Sequence, residues 1–232
     1  QSRHRSRGPL GWQRFPHLLV VSDYGFRATD LRQGGVGDCW FMSALAVVAE
    51  RHDLIARLFA DTAVNRAGCY CLRFFLDGEW SSVLVDDRLP VTDAPTRAPL
   101  AFEGKLAFSR CGDGSSGPSG QMLWACLIEK AYAKAHGSYK STSGGEIQEA
   151  LLDLTGAPTL SVSFNDDFDS ELLWRSMQEW KRLELPMGCA TGGDDTGELR
   201  EMGLCGSHAY SVLDLREVTL RDHHFRGGGG QC

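Results

Sequence analysis

Long apolar runs are absent from the chain. Nothing in its 232 residues approaches the roughly 18 consecutive apolar residues of a membrane span, and "HLLVVS" behind the basic opening is too short for a signal-peptide core. Cysteine pairs at CxxC spacing are also missing, which argues against a zinc ribbon. A strong excess of positive charge is lacking: the net charge is −6, a poor footing for nucleic acid as main partner. Asparagine is scarce, with Asn65 and Asn165 the only two. There is no internal repeat, and no methionine at position 1, so the chain is expected to be part of a longer multidomain protein.

What is present is globular in composition. Apolar residues make up 42% and charged residues 23%, which fits a packed domain and not a disordered chain. The length suffices for one large domain or two lobes around a real core. The eight cysteines, Cys39, Cys69, Cys71, Cys111, Cys126, Cys189, Cys205 and Cys232, read as thiols of a reduced, intracellular and cytoplasmic protein.

Apolar spacing sets the expected elements. Residues 1–22 read as a poorly ordered lead-in and 219–232 as an irregular tail. "CWFMSALAVVAERHDLIARLF" has helical spacing with a break near Asp53, a plausible N-cap. "CYCLRFFLDGEWSSVLVDD" forms two strand-like runs around Asp77-Gly78, a hairpin signal. "QMLWACLIEKAYAKAHG" is a helix stopped by Gly137, and "EIQEALLDLTG" is a shorter one. "TLSVSF" reads as a strand, "SELLWRSMQEWKRL" as a helix capped by Ser170, and "MGCAT" and "HAYSVLDLREV" as strands. Residues 111–120 and 191–198 read as Gly/Ser-rich loops. Helices are expected to dominate the first half and strands the second, an α+β arrangement.

One stretch carries chemistry. "QGGVGDCWF" places Cys39 where a glycine-rich loop meets a helix. There the helix dipole and unpaired N–H groups favour thiolate, the nucleophilic form. Gln33 lies where it can reach back and donate an amide hydrogen to an oxyanion. The bland alternative is a buried helix-start cysteine with glycines for packing, and spacing alone leaves both open. A cysteine nucleophile needs a base. Of seven histidines, His208 differs by opening a strand after the turn "LCGS", so a rigid element holds it at a loop edge. Taken without Cys39 it reads as a solvent-facing strand residue, and the two residues together support each other.

Together these segments resemble the calpains, the papain-like intracellular cysteine proteases. "QGGVGDCWFMSALA", "WSSVLVDDRLP", "LWACLIEKAYAKAHGSYKSTSGG", "LTGAP" and "HAYSVLDLREV" follow in the family's order over residues 23–218, with the look of the small-optic-lobe type. The resemblance implies a papain-like core, an α+β fold with a Cys-bearing helical lobe (about 23–145) and a His-bearing β-rich lobe (146–218) around a cleft. It implies a calcium-dependent endopeptidase acting on proteins and peptides. Cys39 corresponds to the nucleophile, His208 to the general base and Gln33 to the oxyanion donor. Gly145 corresponds to a residue that binds substrate backbone. Ser207 stands where a substrate-contacting glycine is found. For calcium, the resemblance points to Asp30 with the carbonyls of Asp23 and Gly25, while Met122 replaces a carboxylate that would complete the site.

The sequence also departs from the family. The asparagine that orients the histidine should follow it, yet Asn65 and Asn165 both precede His208, and Asp214 or Asp222 is the only replacement on offer. This raises a second possibility, an impaired or inactive calpain-like module that binds peptides. A third, an acyltransferase of transglutaminase type, shares the Cys-His pair after a "CW" motif but not the collinear segments.

Overall fold

The structure, a computed structural model, describes residues 11–92, 106–112, 122–164, 168–194 and 196–218. Its centre is α1 (Cys39–Ala49), in which every residue from Trp40 to Ala49 is buried. A helix that is apolar on all sides must be enclosed on all sides. α2 (His52–Ala56) follows directly. It starts at His52, with Arg51 as its cap and Asp53 in its first turn, where the Asp53 carboxylate accepts from Arg51 Nε at 3.0 Å. That ion pair is why Asp53 does not serve as the cap.

Strands β3 (Cys69–Leu76) and β4 (Glu79–Asp86) form the expected hairpin, with Leu76 opposite Glu79. The turn residues Asp77 and Gly78 have φ of 53° and 86°, the left-handed pair that matches strand twist in a two-residue turn. Tyr70, Leu72 and Phe74 alternate inward from β3 onto the core. α3 (Trp124–Ala135) presents Trp124, Leu127, Ile128, Ala131 and Tyr132 to the same core. It ends at Gly137, whose φ of 95° a side chain would resist.

The lead-in is not loose beyond residue 10. β1 (Gly11–Arg14) pairs antiparallel with β5 (Arg88–Val91), and Phe15, Leu18 and Val20 are buried. Arg14 donates to both carboxylate oxygens of Asp87, at 2.6 and 2.8 Å. Local patterning missed this strand because its partner lies over 70 residues away. Short β2 (Leu31–Arg32) pairs with β6 (Arg110–Cys111).

The second half carries more helix than strand, opposite to the expected division. α4 (Ile147–Thr155) packs on α1 and ends at Gly156 with φ 69°. α5 (Ser170–Arg182) is capped by Asp169, not Ser170: the Asp169 carboxylate accepts from Leu172 N at 2.9 Å. α6 (Gly197–Glu201) occupies part of the expected 191–198 loop. β7 (Gly188–Thr191) and β8 (His208–Ser211) form an antiparallel pair, and no strand continues from β8 through 218. Of the eight strands among the described residues, six precede residue 112. Residues 159–164 have strand-like alternation but no pairing partner among the described residues, and Leu160 and Phe164 stay 75% and 72% exposed. α5 buries no residue at all. The α+β class holds, with both element types in each half. No helix among the described residues is long and apolar enough to cross a membrane. Most of the Gly/Ser stretch 111–120 and the 219–232 tail lie outside the described residues.

Two outcomes follow from this packing. In hydrogen exchange, α1 amides should be protected about 100-fold or more beyond those of α5, since local opening is easiest where nothing apolar is buried. Substituting Gly145→Ala sets a methyl 2.4 Å from the Trp40 ring. Urea unfolding should register a loss of about 1–3 kcal/mol, the usual effect of overpacking.

Candidate active site

The loop from Gln33 to Asp38 is built by close backbone approach. A side chain at Gly34 would meet the backbone of Phe108 at 2.2 Å, and one at Gly37 would meet Ser143 Oγ at 2.8 Å. Gly35 N donates to Ala107 O at 2.9 Å and Gly144 N to Gly37 O at 2.8 Å. The glycines thus have a packing role, whatever else they do. This clamped loop delivers Cys39 as the first residue of α1, half-buried. It stands at the positive end of a buried helix.

Gln33 is less available than its spacing suggests. Its Nε2 donates to Val36 O at 2.9 Å and to Asp38 Oδ1 at 3.2 Å, so both amide hydrogens are committed within the loop. Asp38 is 1% exposed, and its second oxygen, Oδ2, has no N–H or O–H donor. Glu129, on α3 and 3% exposed, faces it. Burial pushes both carboxyls up from their ordinary range, Glu129 the further of the two. Glu129 accepts from Ser109 N and Oγ at 3.0 and 2.7 Å. This pair escaped sequence reading, although an acidic residue amid the apolar positions Cys126, Ala133 and Tyr132 was a signal.

His208 opens β8, opposite Thr191, whose Oγ1 accepts from His208 N at 3.3 Å. Its ring stands edge-on to Tyr210, centroids 4.8 Å apart. β8 packs on α1, Ala209 joins the core, and Ser211 Oγ donates to Ser43 O at 3.0 Å. The strand that begins with His208 therefore lies against the helix that begins with Cys39. Among the described residues no hydrogen bond links the Cys39 thiol to the His208 ring.

None of the described replacements orients His208. Asn65 serves a turn, exchanging hydrogen bonds with Cys69 O and N at 2.9 and 3.2 Å. Asp214 is exposed and held by Arg216 at 2.7 Å, which keeps its carboxyl below the usual range. Asn165 and Asp222 lie outside the described residues.

The other expected site residues also have places. Gly145 lies against the Trp40 indole, whose Nε1 donates to Thr142 O at 2.9 Å. Ser207 has φ 48°, a left-handed conformation natural to glycine, and its Oγ donates to Gly193 O at 2.7 Å.

The donors named for calcium do not fit that ion. Asp30 is buried with its carboxylate 3.4 Å from Arg27 Nε, a cation already in place. Asp23 is exposed, and Gly25 closes a turn by donating to Ser22 O at 2.9 Å. Met122 turns its sulfur to Ser22 N at 3.3 Å, as an acceptor for a backbone donor. A soft sulfur and one engaged carboxylate make a poor set for a hard cation. Among the described residues no group of three or more His, Cys, Asp or Glu is placed to hold a metal.

The thiols divide. Cys111 and Cys126 are buried, which pushes both up, Cys126 to about 12, so neither competes as a nucleophile. Cys69, Cys71 and Cys189 are also free. Cys205 is disulfide-bonded, against the expectation of thiols throughout.

Comparison with known proteins agrees with this geometry. The model of the calpain family cysteine proteases matches residues 1–226. The chain is 34% identical over 195 residues to the calpain-type cysteine protease DEK1 of Arabidopsis thaliana, covering 82% of this chain and 8% of that protein. It is 34% identical to human calpain-14, covering 91% of this chain and 29% of that protein. Against the calpain-2 catalytic subunit of Bos taurus the identity is 33%, covering 94% of this chain and 30% of that protein. The chain thus spans under a third of each of these relatives. With a helix-start cysteine, a histidine on the strand beside it and a match over nearly its full length, the chain belongs to the calpain family of cysteine proteases.

Proposed function

We propose that the chain carries the nucleophile and base of a cysteine endopeptidase acting on protein substrates. The observation that carries this reading is the packing of β8, which opens with His208, onto α1, which opens with Cys39. His208 accepts the thiol proton, and the Cys39 sulfur adds to a peptide carbonyl carbon. The tetrahedral oxyanion collapses, the C–N bond breaks, and the amine leaves with the proton from His208. Water, activated by the same imidazole, then cleaves the thioester and restores the thiol. Gln33 donates to the oxyanion once it gives up one of its present acceptors. Gly145 and Ser207 contribute to holding an extended substrate. Action in the cytoplasm belongs to the same proposal, though the Cys205 disulfide has no explanation within it.

A specific observation favours a second reading, a peptide-binding module of low turnover. Both Gln33 amide hydrogens are committed, and no described residue orients His208. Loss of an orienting partner alone lowers turnover by orders of magnitude.

Covalent labelling separates the readings. The purified chain is treated with an irreversible epoxide inhibitor of papain-like proteases, and intact mass and peptide mapping are read. The protease reading expects one adduct, on Cys39, absent in Cys39→Ser and slowed about 100-fold in His208→Ala, the scale of general-base assistance. Labelling spread over several thiols, or none, abandons it in favour of the binding module. Calcium dependence, implied by the family resemblance, finds no support in the donors around Asp30. The Cys39 labelling rate is expected to be the same in calcium and in EGTA, and a rise with calcium would reinstate a site.

A further inference from the structure

We propose that Asp38 and Glu129 share a single proton, and that this pair is a positioning device for Gln33 and the loop that presents Cys39. The proton-sharing stands on the geometry alone, whereas its bearing on catalysis rests on the protease reading above.

Asp38 Oδ1 accepts from Gln33, yet Oδ2, also buried, has no donor among N–H and O–H groups. A buried acceptor left empty keeps its full desolvation penalty, so an unpaired oxygen beside a site calls for a partner. The group facing it is the Glu129 carboxyl. Two ionised carboxylates side by side in a dry interior repel and are both desolvated, so one must keep its proton.

The contacts say which one. Glu129 Oε2 takes both Ser109 donors, N at 3.0 Å and Oγ at 2.7 Å, as a carbonyl oxygen would. Oε1 lies farther from Ser109 N, at 3.3 Å, and is the oxygen left to carry hydrogen. Asp38, by contrast, accepts from the Gln33 amide through Oδ1, as a carboxylate does, so it carries the negative charge. The proton on Glu129 then fills the empty place at Asp38 Oδ2, and Asp38 Oδ1 holds Gln33.

Among the described residues no ion pair joins a cation to either carboxyl. Facing Glu129 are Asp38, the thiols of Cys126 and Cys111, and the phenol of Tyr139 on the short helical turn Tyr139–Thr142, all three neutral because burial pushes them up. Arg110, beside Ser109 on β6, acts on Cys126. One negative charge therefore remains, next to the positive end of α1.

The sign of the pH dependence follows. In the unfolded chain both carboxyls ionise near their ordinary values, about 3.9 and 4.3, whereas the folded chain retains one proton. Folding takes up a proton above that range, so stability falls as pH rises from there toward the raised folded value. Glu129→Gln mimics the protonated acid: its carbonyl accepts from Ser109 and its amide donates to Asp38, with no proton to lose.

The test is urea unfolding of the full chain and of Glu129→Gln at several pH values from about 5 to 8, where the unfolded carboxyls are ionised. The ratio of wild-type to variant folding constants should fall as pH rises toward the raised folded value, by at most about tenfold per pH unit, the limit for one extra bound proton. A ratio that does not change with pH overturns the proposal. In parallel, epoxide labelling of Cys39 should slow about tenfold or more in Glu129→Ala, which removes the donor to Asp38, and recover in Glu129→Gln, whereas a folded Glu129→Ala that labels at the wild-type rate overturns the positioning role. A folded Glu129→Gln with slowed labelling shows that a neutral donor does not suffice, and overturns the positioning role. Should the variant fail to fold, carboxyl carbon-13 NMR of wild type labelled at glutamate decides. One glutamate titrating clearly above all the others supports the pair, and all glutamates titrating together in the ordinary range refutes it. Absence of Cys39 labelling in wild type itself would count against the protease reading alone, since the pH and NMR readouts do not depend on catalysis.

Discussion

Enclosure of α1 is the constraint on which the rest depends. Residues Trp40 to Ala49 are buried without a solvent face, so the helix can exist only if other elements cover it. α4 and β8 pack on it, and the β3 side chains and α3 complete the same core. Stacking of Phe41 on Tyr132, centroids 4.1 Å apart, joins α1 to α3 directly. A buried helix still has two ends, and the first four N–H groups at its start lack helical partners. That start is where Cys39 stands. The site is thus a consequence of packing: the hydrophobic requirement fixes the helix, and its unsatisfied end supplies the electrostatics a thiolate needs.

What was legible in the sequence was local. The Asp77-Gly78 turn, the stops at Gly137 and Gly156, and the glycine-to-cysteine junction each follow from backbone conformations within a few residues. Cys39 and His208 were legible for a related reason, because each sits at an element boundary. What was not legible depended on distant partners. β1 exists because residues 88–91 lie beside it. Residues 159–164 have the alternation of a strand but no partner among the described residues, and a pleated pattern without pairing leaves its apolar side chains in solvent. The Asp38–Glu129 contact joins residues 91 positions apart, so no spacing rule reaches it. Even the commitment of Gln33 to Val36 and Asp38 needed coordinates, since the same residue at the same spacing is free to donate elsewhere.

The two halves hold their chemistry with unequal firmness. Cys39 is presented by a loop clamped at Ala107 and Gly144 and by the deepest helix of the core. His208 is held by a two-stranded pair, a threonine hydroxyl and one serine tie to α1. Around it, α5 buries nothing and Ala209 is the one residue of β8 that is fully covered. A displacement of about 1 Å between reacting groups can lower rate about 100-fold. In the proposed mechanism the histidine side is therefore the less firmly held of the two.

The same asymmetry accounts for where the buried charge lies. The cysteine side can keep a carboxyl pair in its interior because Gln33 and Ser109 satisfy one oxygen of each carboxyl and the proposed shared proton joins the other two. On the histidine side, Asp214 is exposed and paired outward with Arg216. A buried polar network fixes a loop only where the surrounding core excludes water. That condition is met around α1 and not around β8, so the firmness of the nucleophile and the looseness of its base have one cause, the distribution of buried apolar surface along the chain.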